Sequence, residues 1–174
     1  FCYLKDLTRG RVWSAAHQPI RARPDYYRAV LAPHRVTFRR LDDLIETQTE
    51  IAVVPEDAAE IRRITVTNRS GEPRVLELTS YGEIVLASPD ADRAHPAFSN
   101  LFVETEWHDW CSAITATRRP RSAKDRSLVC VHLVDAHARL GSTVSCETDR
   151  ARFLGRGRSV HEPVALDTDG PLSG

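Results

Sequence analysis

Between residues 44 and 53 the chain alternates, with Ile45, Thr47, Thr49, Ile51 and Val53 on one side of an extended backbone. Leu44, Glu46, Gln48 and Glu50 take the other side. A period of two marks a half-buried strand. Pro55–Asp57 breaks the pattern, and Ile61–Asn68 resumes it through Ile64 and Val66. The turn Arg69-Ser-Gly-Glu-Pro73 then leads into Arg74–Ala87, a long strand candidate. Strands flanking Ser70-Gly71 are expected to pair as an antiparallel hairpin. Upstream, Phe1–Leu4 and Val12–Ser14 flank a turn that closes at Gly10 and read as a second hairpin. Ala15–Pro24 is a loop, and Asp25–Leu31 and Arg35–Leu41 are strands separated by Pro33-His34.

Downstream, Ser88–Phe98 reads as a polar loop with two prolines. Leu101–Glu106 and Cys111–Thr117 are strands around a turn bracketed by Trp107 and Trp110. Leu128–Asp135 is apolar on both sides, which predicts a buried central strand, and Thr143–Thr148 predicts one more. Asp149–Phe153 gives one helical turn, stopped by Gly155 and Gly157. Many short strands at roughly ten-residue spacing, without a sustained 3.6-residue period, predict an all-β antiparallel sandwich. The expected organisation is a β domain over residues 1–158 and a short irregular or helical extension over 159–174.

Composition narrows the function. Lys+Arg and Asp+Glu are both 24, so no net field favours nucleic acid or an anionic membrane. Apolar residues make up 41%, enough for a core, yet no run approaches the ~20 residues of a membrane span and no signal peptide is visible. Cys2, Cys111, Cys130 and Cys146 are widely spread, which predicts free thiols rather than a disulfide framework. The first residue is Phe and Met is absent, so the chain reads as a segment of a longer protein, expected to be soluble by itself.

Tests for chemistry return no catalytic set. Seven histidines are scattered, and His108 with Cys111 lacks a second pair at zinc-like spacing, so neither a metal nor a cofactor is expected. There is no Gly-x-Ser-x-Gly elbow and no phosphate loop. Gly155-Arg-Gly157 reads more cheaply as a helix stop with a solvated arginine than as a phosphate clasp. Glu104 and Glu106 share one strand face and can either flank a sugar or pair with arginines. The basic stretch Arg118–Arg126 lacks the interleaved aromatics of a nucleic-acid platform.

Two groups remain as binding candidates. In His95–Glu106, Pro96 sets an extended approach and presents Phe98, Ser99 and Asn100 at a loop tip, the same pattern an ordinary strand connection would have. Trp13, Trp107 and Trp110 are the candidates for stacking on sugar rings, with core or edge packing as the alternative.

Several strings then line up in one order: Thr8–Ser14, Ile61–Gly71, Thr79–Glu83, His95–Glu106, Arg118–Arg121 and Glu147–Gly157. Together they resemble the N-terminal β domain of the cellobiose-phosphorylase-like glycoside phosphorylases, and within that group the carboxyl-terminal module of bacterial cyclic β-1,2-glucan synthases. The resemblance implies a large antiparallel β super-sandwich that precedes an (α/α)₆ helical barrel carrying the catalytic acid. It implies a non-catalytic module whose partners are that barrel and a β-glucan or oligosaccharide, with homodimer formation left open. It further implies a parent protein at the cytoplasmic side of the inner membrane. Where family members reach the sugar with a Gln-Arg pair, this chain has Ser99 and Asn100. An autonomous carbohydrate-binding module and a purely structural interaction domain are the alternatives.

Overall fold

The computed structural model describes residues 1–94, 100–120, 128–137, 144–172 and 174. They form two compact units, Phe1–Tyr81 with Leu154–Asp169, and Gly82–Phe153 with Gly170–Gly174. Every strand pairing is antiparallel, as the alternation requires.

The first unit holds two sheets. One has the order β2-β1-β7, built from β1 (Cys2–Asp6), β2 (Arg11–Ser14) and β7 (Leu76–Ser80). The β1–β2 hairpin closes at Gly10, where φ is +63°, a conformation glycine adopts without strain. The other runs in sequence order, β3 (Tyr26–Ala32), β4 (Arg35–Asp42), β5 (Ile45–Val53) and β6 (Glu60–Asn68). Leu4, Trp13 and Ala15 from the first sheet and its loop pack with Ile45 from the second to form the buried centre. The period-two reading holds over residues 45–49, where Ile45, Thr47 and Thr49 are all buried, and fades beyond them, with Ile51 half-buried and Val53 exposed.

Asp42 and Ile45 are register partners, so β4 and β5 are joined by the two residues Asp43 and Leu44, with φ of +47° and +65°. Two positive φ values in a two-residue loop define a type I′ turn, which matches the twist of its strands but favours Asn-Gly over Asp-Leu. Surrounding groups hold it there. The Asp25 carboxylate accepts from the Asp43 N–H, the Leu44 carbonyl accepts from Arg69, and the Asp43 carboxylate accepts from Arg9.

Two expectations need correction in this half of the chain. The strands flanking Ser70-Gly71 do not pair with each other, because β6 joins β5 and β7 joins β1 in the other sheet. The cause lies at the connection, where the buried Arg74 guanidinium donates to Asp6 and to the Asp43 carbonyl, and Val75 is held by the Thr8 hydroxyl. Burial alone would raise the Asp6 pKa, but Arg74 and the N–H groups of Arg9 and Thr8 outweigh it and bring it below the usual carboxylate value. The ladder after Arg74 is also shorter than expected, spanning Leu76–Ser80 alone. Residues 159–169 carry one 3₁₀ turn, Val164–Leu166, and are tied to β1. The Tyr3 hydroxyl donates to the Val160 carbonyl, Lys5 donates to Thr168 and pairs with Asp169, and Pro163 and Leu166 are buried. They cover the face of β1 opposite Leu4.

In the second unit, β8 (Val103–His108), β9 (Ala113–Arg118) and β10 (Val129–Leu133) form a sheet of order β10-β9-β8. The β8–β9 link is a 3₁₀ turn, Asp109–Cys111, ended by Ser112 in the left-handed region. β10 is therefore an edge strand among the described residues, and Val129, Val131 and Leu133 are exposed, contrary to the buried central strand expected. Residues 144–148 form no ladder, and Thr143 lies outside the described residues. The expected polar loop contains a helix, α1 (Pro89–Ala94), in which the Ser88 side chain caps the Ala91 N–H. The helical turn expected near 149–153 is α2 (Arg150–Leu154), begun by the Asp149 carboxylate and followed by Gly155 at φ +85°.

Candidate functional site

Of the loop tip proposed from sequence, Phe98 and Ser99 lie outside the described residues. Asn100 is described and exposed. Two residues on, Phe102 is fixed on the second unit, its carbonyl accepting from the Arg119 N–H at 2.8 Å and its ring lying 5.5 Å beneath the Arg118 guanidinium. Arg118 also donates to the Val85 carbonyl at 3.2 Å. The start of the basic stretch is thus an anchor for the chain that carries Asn100.

Glu104 and Glu106 share a sheet face with Thr115 and Thr117, as their register dictates, and line a shallow depression of about 330 Å³. Glu104 accepts from Arg119 at 3.2 Å, the arginine-pair reading rather than one half of a glycosidic acid–base pair. His108 and the Thr115 hydroxyl meet at 2.8 Å on the same face.

The three tryptophans separate. Trp13 is only 2% exposed and sits among Leu4, Ala15 and Ile45, so it presents no face to a sugar. That is a correction: an apolar position on β2 facing the second sheet outweighs the chemistry of the ring. Trp107 is half-buried, and its indole N–H donates to the Asp109 carboxylate. Trp110 is 87% exposed on the 3₁₀ turn. Trp13 belongs to the first unit, Trp107 and Trp110 to the second.

A different aromatic group is brought together instead. The inner face of the second sheet continues past Ile45 through Thr49 and Ile51, and register places Phe38 beside Thr49. Tyr27 reaches the same face from β3, its ring near-parallel to Phe38 at 6.4 Å between centroids and tilted against His17 at 6.3 Å. With Gln18 and Arg62 these residues line an open cleft of about 390 Å³. The loop wall of the cleft is held by Arg40, wholly buried, which donates to the Ala16 and Ala22 carbonyls at 2.8 Å each and forks onto Asp42. The Thr49 hydroxyl, on a residue only 4% exposed, has no hydrogen-bond partner among the described residues. Such a group typically costs about 1–3 kcal/mol when it stays unpaired.

The profile described as "Glycosyl hydrolase 94, supersandwich domain" matches residues 1–174, the full chain. The chain belongs to that family. Among relatives of this supersandwich domain, cyclic beta-(1,2)-glucan synthase NdvB of Rhizobium meliloti (strain 1021) is 37% identical over 174 residues. That match covers 100% of this chain and 6% of the synthase. The 3-O-beta-D-glucopyranosyl-beta-D-glucuronide phosphorylase of Paenibacillus borealis is 31% identical over 78 residues, 45% of this chain and 10% of that protein. The supersandwich chain therefore spans a small fraction of the length of the curated relatives it matches. Among its described residues, no helix is long and apolar enough to cross a membrane.

Proposed function

We propose that this supersandwich domain is a non-catalytic module of a cyclic β-1,2-glucan synthase or related glycoside phosphorylase, and that it shapes the glucan cleft of a separate (α/α)₆ barrel. The end-to-end match to a segment of the synthase is the observation that carries this reading. In it, residues 1–158 supply the sandwich and 159–174 lead towards the barrel. The Phe98–Asn100 tip and the exposed Trp110 approach the glucan, while the parent sits at the cytoplasmic side of the inner membrane. The arginine partner of Glu104 supports a binding rather than an acid–base role for that face.

The test uses the parent enzyme carrying Asn100→Ala or Trp110→Ala. The expected result is a raised KM for glucan with kcat retained, the mark of a lost binding contact that is equal in ground and transition states. Unchanged kinetics in both variants would refute the cleft-shaping role. The 174-residue chain alone is expected to release no sugar phosphate from glucan and phosphate.

A further inference from the structure

We infer that the cleft between Tyr27, Phe38 and the His17-Gln18 loop is a binding site for one neutral glucosyl unit of a β-linked glucan. This site belongs to the first unit, Asn100 to the second. A pyranose ring has one face of C–H bonds and a rim of hydroxyls. The C–H face suits the negative π face of an aromatic ring, and the Tyr27–Phe38 stack supplies an aromatic floor where no tryptophan is available. The rim needs donors and acceptors, and His17, Gln18 and Arg62 ring the cleft.

Charge and size both fit such a unit. Arg62 is paired with Glu60, which cancels its charge locally and fits a neutral ligand better than an anionic one. The volume, about 390 Å³, lies within the range of small-molecule sites, roughly 300–1,000 Å³. The glucan as the source of the glucosyl unit rests on the proposed function, whereas the cleft and its chemistry do not.

The experiment is a two-dimensional NMR titration of the 174-residue chain with a linear β-1,2-glucan trisaccharide, and with cellobiose in parallel. The expected result is saturable shifts at Gln18, Tyr27, Phe38 and Thr49 in the millimolar range typical of single-sugar sites. Tyr27→Ala should weaken binding about tenfold. Tyr27→Phe keeps the ring and removes only the phenol hydroxyl, so affinity should hold where Tyr27→Ala loses it, a split that a loss of fold would not give. Binding of cellobiose without β-1,2-glucan would uphold the glucosyl site and remove only the linkage taken from the proposed function. Absence of shifts with both sugars, or shifts confined to other residues, would overturn the inference.

Discussion

Replacing Asp42 by alanine should destabilise the first unit far more than replacing a partner of any surface ion pair on the same sheet. Arg40 and Asp42 make a forked pair at 2.6 and 2.9 Å, with both side chains essentially out of water. The Ala16 and Ala22 carbonyls take two further donors of the guanidinium. Removing the carboxylate leaves a buried cation with only neutral acceptors, and breaking such a pair costs about 3–5 kcal/mol. At about 1.4 kcal/mol per decade that is roughly two to four orders of magnitude in the folding equilibrium. For a chain of this size it corresponds to a fall of about 6–20 °C in Tm. The control is Arg39→Ala on the opposite face of β4, where the pair with Glu46 is open to solvent and screened, so Tm should barely move. Urea unfolding can be followed by Trp13 fluorescence in a Trp107→Phe, Trp110→Phe background, so that the signal comes from the first unit. A loss below about 1 kcal/mol for Asp42→Ala would refute the argument, since it would place Arg40 in contact with water. The same variant should weaken any ligand held by the Ala16–Gln18 wall.

Other outcomes follow from local geometry. Leu44→Gly relieves the +65° φ in the type I′ turn and should raise Tm by a few degrees, about 1 kcal/mol, in a thermal melt. Burial, followed by the influence of Cys2, pushes the Tyr3 phenol from its usual 10.0 up to about 12. Between those values the native state keeps a proton that the unfolded chain has lost, so stability is intact below pH 10 and falls as pH rises towards 12, measurable by urea titration across that window. Burial, with Glu147 and Asp109 nearby, raises the Cys146 thiol, so Cys146 should be the last of the four cysteines to react with a thiol reagent at pH 8 and should become reactive on unfolding.

Much of the fold is readable from alternation because the buried face of a strand repeats every two residues whatever it packs against. Residues 45–49 show this most clearly. Partner choice is different in kind. Arg74 sends β7 to β1 through contacts with Asp6 and Asp43, residues 68 and 31 positions away, which no local turn signal at Ser70-Gly71 contains. β10 has apolar residues on both sides, but its place at an edge is decided by which strands flank β9. α1 did carry a signal, with Ser88 as cap, Pro89 in the first turn and Asp90 and Asp92 near the N-terminus. Six residues without an apolar stripe leave periodicity silent, so composition read them as loop. The candidate site follows the same division. Tryptophan was favoured for its chemistry, and Trp13 went to the core because it lies opposite Ile45. Tyr27 and Phe38 could be placed on one face from the hairpin around Pro33-His34, but whether that face is open depends on how far the partner sheet extends.

The docking of residues 160–169 onto β1 also sets a timetable for synthesis. The face of β1 that holds Tyr3 and Lys5 is made well before the residues that cover it, Val160, Thr168 and Asp169. Residues 82–153 must leave the ribosome in between, which takes roughly 4–15 s at 5–20 residues per second. Throughout that interval the β1–β2 hairpin waits with one side uncovered. A chaperone that binds nascent chains would find its target there, and a stall near residue 150 would leave the first unit unfinished however well its own strands are paired.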